Sequence, residues 1–253
     1  MPRTATDYVR RGPLGRVLSW LGHREFSVLL ALFLAMGSVW AFVEIADEVV
    51  EGDTLAYDRS ILLAMRSPSD PADPLGPGWV EELGRDLTAL GGVGVLLMLS
   101  LAVVGYLLLQ QRRRTALVVV LAIGSGLILS TVLKFAFERP RPDLVPHGSI
   151  VYTASFPSGH SMMAAATYLT LGALLARTER RWRMKAYLLL VATVLTLLVG
   201  VSRVYLGVHW PTDVLAGWTA GAGWALLWWL IARQLQRRGQ VEQEEFSPPE
   251  TND

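Results

Sequence analysis

Pro157-Ser158-Gly159-His160 stands at the edge of an uncharged run that continues to Ala176. A proline, a serine and a glycine in this order predict a helix N-terminus, where a capping serine satisfies amides that have no partner inside the helix. The remaining amides and the positive end of the helix dipole make a ready anion site. His160, next in line, can move a proton near neutral pH. An anion cradle with an acid-base group at the rim of an apolar segment points to phosphoryl chemistry at a membrane edge.

Five further uncharged apolar runs lie outward from this one, at 26–43, 87–111, 115–133, 186–202 and 214–232. Each is about as long as a helix needs to cross the hydrocarbon core, roughly 17–25 residues. Helices are required because lipid offers no partners to the open edge of a strand. The expected fold is therefore all-α, an integral membrane bundle of six transmembrane helices. Composition agrees, with 52% apolar residues and a mean hydropathy of +0.37. Charged residues make up 18% and nearly cancel at +1, which argues against nucleic acid as a partner. The chain has no cysteine, which removes disulfides, thiolate catalysis and thiolate metal sites together. No internal repeat stands out.

Loop charges orient the bundle. Residues 1–25 are polar and lack a cleavable-signal pattern, so the first run reads as an uncleaved anchor. Arg3, Arg10, Arg11, Arg16 and Arg24 precede it, and Arg112, Arg113 and Arg114 join the second and third runs. Arg177, Arg180, Arg181, Arg183 and Lys185 join the fourth and fifth, and Arg233, Arg237 and Arg238 follow the sixth. These sites hold sixteen of the 23 basic residues and all fall on one side, which predicts that side, with both termini, to be cytoplasmic. The expected organisation is a cytoplasmic segment 1–25, a membrane domain 26–232, and a polar, acidic cytoplasmic tail 233–253 that reads as disordered. On the outer side, the loop 45–86 carries Asp47, Glu48, Glu51, Asp53 and Asp58 with Arg59, Arg66 and Arg85. Residues 55–65 read as a short amphipathic surface helix, and 67–78, with four prolines, as an irregular connector.

Four cations break this economy on the outer side: Lys134, Arg139, Arg141 and Arg203. Charge at the end of a membrane helix is costly unless it is paired, snorkelling or functional. Six residues separate Lys134 from Arg141-Pro142, and Ser202-Arg203 is followed by His209 and then Asp213. Together with Pro157–His160, these make three clusters at outer helix ends. Phosphoryl transfer asks mainly for positioning and for charge on the equatorial oxygens. Lys134, Arg141 and Arg203 can supply it without a metal, and Ser158 and Gly159 add hydrogen-bond donors. Pro140 and Pro142 stiffen the chain around Arg141. His209, held in one tautomer by Asp213, can attack phosphorus, and His160 can protonate the leaving oxygen. Pro211 suits the first turn of the last helix.

Each piece also has a plainer reading: Ser158 as a cap alone, Lys134 as a snorkelling lysine, Arg141 as a headgroup contact, His209-Trp210-Pro211 as an interfacial turn, Asp213 as a dipole complement. Arg139 stands between a structural and a substrate-facing role. His23 and His147 have no role, and Asp143 with the fourteen residues after Pro142 reads as a solvated loop. What sets the three clusters apart is that they occur in order and on one side.

The set resembles the signature of the type 2 phosphatidic acid phosphatase superfamily, which also includes vanadium haloperoxidases: Lys-x6-Arg-Pro, Pro-Ser-Gly-His, and Ser-Arg-x5-His-x3-Asp. It is matched at Lys134, Arg141, Pro142, Pro157, Ser158, Gly159, His160, Ser202, Arg203, His209 and Asp213. Six spans with an outer-facing site are similar to the bacterial integral-membrane branch. The resemblance implies His209 as nucleophile, His160 as acid/base, Asp213 as orienting carboxylate, and Lys134, Arg141, Ser158, Gly159 and Arg203 as the phosphate-binding set. It implies no metal or cofactor, a place in the bacterial cytoplasmic membrane with the site facing outward, and an anionic lipid phosphate as substrate. Undecaprenyl pyrophosphate, phosphatidylglycerophosphate and phosphatidic acid all fit, and oligomeric state stays open. The alternatives are a lipid phosphotransferase and a non-catalytic lipid-binding or transport protein.

Overall fold

The computed structural model describes residues 23–143 and 154–242. Residues 1–22, 144–153 (with His147) and 243–253 lie outside the described residues. The elements in chain order are α1 (His23–Glu51), α2 (Leu55–Ala64), β1 (Arg66–Ser67), β2 (Asp70–Pro74), α3 (Gly78–Ala89), α4 (Val93–Leu109), α5 (Arg113–Ala136), α6 (Gly159–Thr178), α7 (Trp182–Tyr205) and α8 (Pro211–Arg237).

Helix α6 is the axis of the bundle. It packs against α4, α5, α7 and α8, and α8 in turn packs against α1. Small residues allow this crowding, and Ala164, Ala165 and Ala166 are all fully or almost fully buried. Four helices, Phe26–Glu51, Arg113–Ala136, Trp182–Tyr205 and Pro211–Arg237, are long and apolar enough to cross a membrane. Helices α3 and α4, bent by 49° at their junction, form a fifth such segment if counted as one. Their outer faces present large apolar side chains such as Phe33, Met36 and Trp40, as a lipid-facing surface requires. The protein is an integral membrane protein.

The structure departs from the sequence reading in three places. The run 87–111 is not one helix: it breaks at Leu90–Gly92, between α3 and α4. A Cβ on Gly91 would lie 2.4 Å from Val199 and 3.3 Å from the His160 carbonyl, so the break lets the chain lie against α6 and α7. The proline-rich connector contains a two-stranded antiparallel hairpin, β1–β2, a small addition to an otherwise helical fold. The segment 233–253, expected to be disordered, is ordered as far as the described residues go. Helix α8 runs to Arg237, and Val241 is buried against Val118 and Ala232. Glu242 then accepts from the amides of Arg114 and Thr115, each at 3.0 Å. Helix α5 has no side-chain cap of its own at Arg112, and this carboxylate supplies one.

Candidate active site

The end of α5, the start of α6, the end of α7 and the start of α8 gather at one end of the bundle, because the chain reverses between successive helices. Ser158 caps α6, its Oγ accepting from the Ser161 hydroxyl at 3.0 Å and, at 3.5 Å, from the Ser161 amide. The Ser158 amide donates to the Asp213 carbonyl at 2.9 Å, which pins this turn to the first turn of α8. Gly217 and Gly221 make the approach possible. A Cβ on Gly217 would sit 2.7 Å from the Ser158 carbonyl, and one on Gly221 would sit 2.4 Å from that of Met162. Glycines one turn apart let two membrane helices touch backbone to backbone.

His209 lies on the loop between α7 and α8 and is 1% exposed. Its Nδ1 is 3.3 Å from Asp213 Oδ2 and 3.2 Å from Ser155 Oγ. Ser155 donates its own proton to Asp213 Oδ2 at 2.5 Å, so its oxygen is left to accept from Nδ1–H. On the far side of the ring, Arg141 Nη1 lies 3.1 Å from Nε2. Guanidinium can only donate, so Nε2 carries the lone pair and Nδ1 the proton. Burial first, then the Arg203 and Arg141 charges, push the imidazole down to about 3, with Asp213 opposing. The ring is therefore neutral at ordinary pH, with a free nucleophilic nitrogen.

Asp213 is fully buried and fully engaged. Besides Ser155 and His209, Oδ2 accepts from the Trp210 amide at 3.0 Å, and Oδ1 accepts from Arg139 Nη1 at 2.7 Å. The other amine of Arg139 meets Asp58 Oδ2 at 2.6 Å, and its guanidinium carbon lies 5.7 Å from the centre of the Trp210 ring. Asp58 also accepts from the Thr212 amide at 2.9 Å, so it caps α8 from a different helix. It can do so because Asp58 and Leu62, one turn apart on α2, both face inward; Leu62 packs against Val204, Trp210 and Val214. Helix α2 is present where the sequence placed it, and it is built into the site.

The remaining cations close on the same space. Arg141 Nη1 also donates to the Val208 carbonyl at 3.0 Å, and burial draws its guanidinium below its ordinary value, with Asp213 opposing. Lys134 donates to the Ala154 carbonyl at 3.1 Å, and its stem lies 3.0 Å from where a Gly159 Cβ would be. Glycine is what lets that ammonium reach the start of α6. Arg203 donates to Thr88 at 3.0 Å, and its buried Nε has no hydrogen-bond partner among the described residues. Arg203, His209, Lys134 and Arg141 all act electrostatically on His160. Every site residue expected from sequence lies at this end of the bundle. Sequence reasoning passed over Asp58, Ser155 and Thr212. The only trace in the chain was the i, i+4 pairing of Asp58 with Leu62, which many solvated helices share.

The chain belongs to the PAP2 superfamily, whose sequence pattern matches residues 115–237, and by that membership it is a phosphatase. It is similar to phosphatidylglycerophosphatase B of Bacillus subtilis (strain 168), with 37% identity over 156 residues, which is 60% of this chain and 74% of that one. An undecaprenyl-diphosphatase of Sulfolobus acidocaldarius is 27% identical over 146 residues, 55% of this chain and 64% of the relative. The crystal structure of a transmembrane PAP2-type phosphatidylglycerolphosphate phosphatase from Bacillus subtilis superposes with a TM-score of 0.65 at 30% identity, covering 82% of this chain and 98% of that one.

Proposed function

We propose that this protein hydrolyses the terminal phosphate of a lipid phosphate or prenyl pyrophosphate through a phosphohistidine on His209. Undecaprenyl pyrophosphate, phosphatidylglycerophosphate and phosphatidic acid are the candidate substrates. The observation that carries this reading is the His209 tautomer: a neutral ring, proton held on Nδ1, lone pair on Nε2 beside Arg141. An arriving phosphoryl group takes over the Arg141 donor and frees Nε2 to attack. Lys134, Arg203 and the first amides of α6 share the equatorial oxygens, and the unpartnered Nε of Arg203 gains an acceptor.

In the first step the N–P bond forms, the P–O bond to the lipid breaks, and His160, protonated once the phosphate dianion is bound beside it, gives that proton to the leaving oxygen. Asp213 and Ser155 keep the Nδ1 proton and stabilise the cationic ring. In the second step water attacks phosphorus, His160 takes its proton, and the N–P bond breaks to release phosphate. Asp58 and Arg139 hold Asp213 in place and touch no reacting atom.

The bundle crosses the membrane six times, α6 included, with the basic helix ends cytoplasmic and the site facing outward. The arginines at 112–114, 177–183 and 233–238 sit at the ends opposite the site, which supports this orientation. The gathering of the charged residues at one end of the bundle, not at its middle, favours this reading over a transporter, whose charges belong near the midplane. Phosphate release by the purified protein in detergent, measured across the three lipids with chelator present, tests the reading. No release from any of them would overturn it.

A further inference from the structure

A groove of about 890 Å³ lies at the opposite end of the bundle from His209, between α4, α6 and α7. Leu99, Val103 and Leu107, four residues apart on α4, form one wall, and Leu188, Val191 and Leu195 on α7 form the other. The floor is α6 from Tyr168 to Thr178. Ten residues of helix rise about 15 Å, which is the depth of one leaflet of a hydrocarbon core roughly 30 Å thick. At the inner end the Tyr168 hydroxyl donates to the Leu90 carbonyl at 2.8 Å.

The mouth is charged. Among the described residues, Arg112, Arg177 and Arg180 line it against a single acid, Glu179. Arg177 is fixed there by bonds to Gln236 and the Trp229 carbonyl, both at 3.1 Å, and lies 5.2 Å from the Trp229 ring. An apolar slot one leaflet deep under a cationic rim matches one ligand chemistry: an acyl chain below an anionic headgroup. The volume lies within the roughly 300–1,000 Å³ of ordinary ligand pockets.

We propose that this groove binds an anionic phospholipid from the leaflet opposite the active site, one chain between α4 and α7 and its phosphate among Arg112, Arg177 and Arg180. Basic pockets between membrane helices are where anionic headgroups gather. The site shares no residue with the catalytic constellation, so it stands apart from the phosphatase reading.

The test uses the full chain in mild detergent, given phosphatidylglycerol or phosphatidylcholine with matched chains, and counts retained lipid by native mass spectrometry. Phosphatidylglycerol is expected to be retained and phosphatidylcholine to wash away. R112Q/R180Q is expected to weaken phosphatidylglycerol retention roughly 30-fold, at about fivefold per cation. V191W, which fills the slot, is expected to abolish retention while leaving the rim charge intact. The unfolding temperature of both variants in the same detergent, without added lipid, should match that of the parent, which shows that they fold. Equal retention of the two lipids, or unchanged phosphatidylglycerol retention in both variants, would overturn the proposal.

Discussion

Arg139 meets Asp213 at 2.7 Å on Oδ1, the carboxylate oxygen that His209 does not use. The same guanidinium meets Asp58 at 2.6 Å, so helix α2 is linked by one side chain to the carboxylate behind the proposed nucleophile. All three groups are at least nine-tenths buried. Removing Arg139 would strand two buried carboxylates, and breaking a buried pair costs on the order of 3–5 kcal/mol. Arg139→Ala is thus expected to lose both stability and activity. Asp58→Asn keeps the shape and should lower kcat by about 10- to 100-fold with KM little changed, as expected when a reacting group is misplaced by a fraction of an ångström. Thermal unfolding and steady-state kinetics on the two variants check this; a KM effect without a kcat effect would assign Asp58 to substrate binding instead.

His209→Ala should reduce phosphate release by about 10³-fold or more and should remove any acid-labile label left on the protein after mixing with labelled substrate. His160→Ala should slow turnover by about 10²- to 10⁴-fold, the usual worth of an acid-base group, yet leave His209 able to take up label. Chemical quench with radiolabelled lipid phosphate separates the two.

The His209 imidazole is pushed down to about 3 in the folded protein, against about 6.5 in an unfolded chain. Between those values the unfolded chain binds a proton that the native site refuses. Stability from this group is therefore fully present above about pH 6.5 and is lost as pH falls towards 3. Unfolding temperatures measured from pH 7 to pH 4 should fall more steeply for the parent than for His209→Asn, which has no proton to gain. For the same reason the acid limb of kcat/KM should not reflect protonation of His209 near 6.5.

Charge at the site comes from Lys134, Arg141 and Arg203, so phosphate release should survive exhaustive chelation. Replacing any one of the three by alanine should cost about 10²- to 10³-fold, the scale of losing one preorganised donor. Arg141→Lys should recover little, because a compact ammonium lacks the planar fork that can bind two phosphate oxygens side by side. Colorimetric phosphate assays with and without chelator are sufficient.

Gly221→Ala places a methyl 2.4 Å from the Met162 carbonyl. Overpacking of this kind costs about 1–3 kcal/mol. It should also move α8 off α6 and lower kcat, whereas Gly105→Ala, which meets nothing within 4 Å, should do neither.

Much of this was written in local patterns. Apolar runs long enough to cross a membrane marked the helices of the bundle, since lipid leaves the backbone few alternatives. The three charged clusters marked the residues that gather at one end of the bundle, since each sits where one helix starts or stops. The Gly91-Gly92 break was less legible, because an apolar run does not record where its helix bends. Arg139 was ambiguous for a related reason: a cation at a helix end looks the same whether it faces substrate or a buried acid.

What the chain determined by itself was a helical membrane protein with anion-binding helix ends, because hydrophobic length and capping chemistry act over a few neighbouring residues. Only the tertiary structure decided that Asp58, 154 residues from Thr212, caps α8 and shares Arg139 with Asp213. It also brought Ser155 between His209 and Asp213, and bared the groove between α4 and α7. Those contacts depend on which helix lies beside which, and that is settled by packing of small residues such as Gly217 and Gly221 across a distance no local pattern spans.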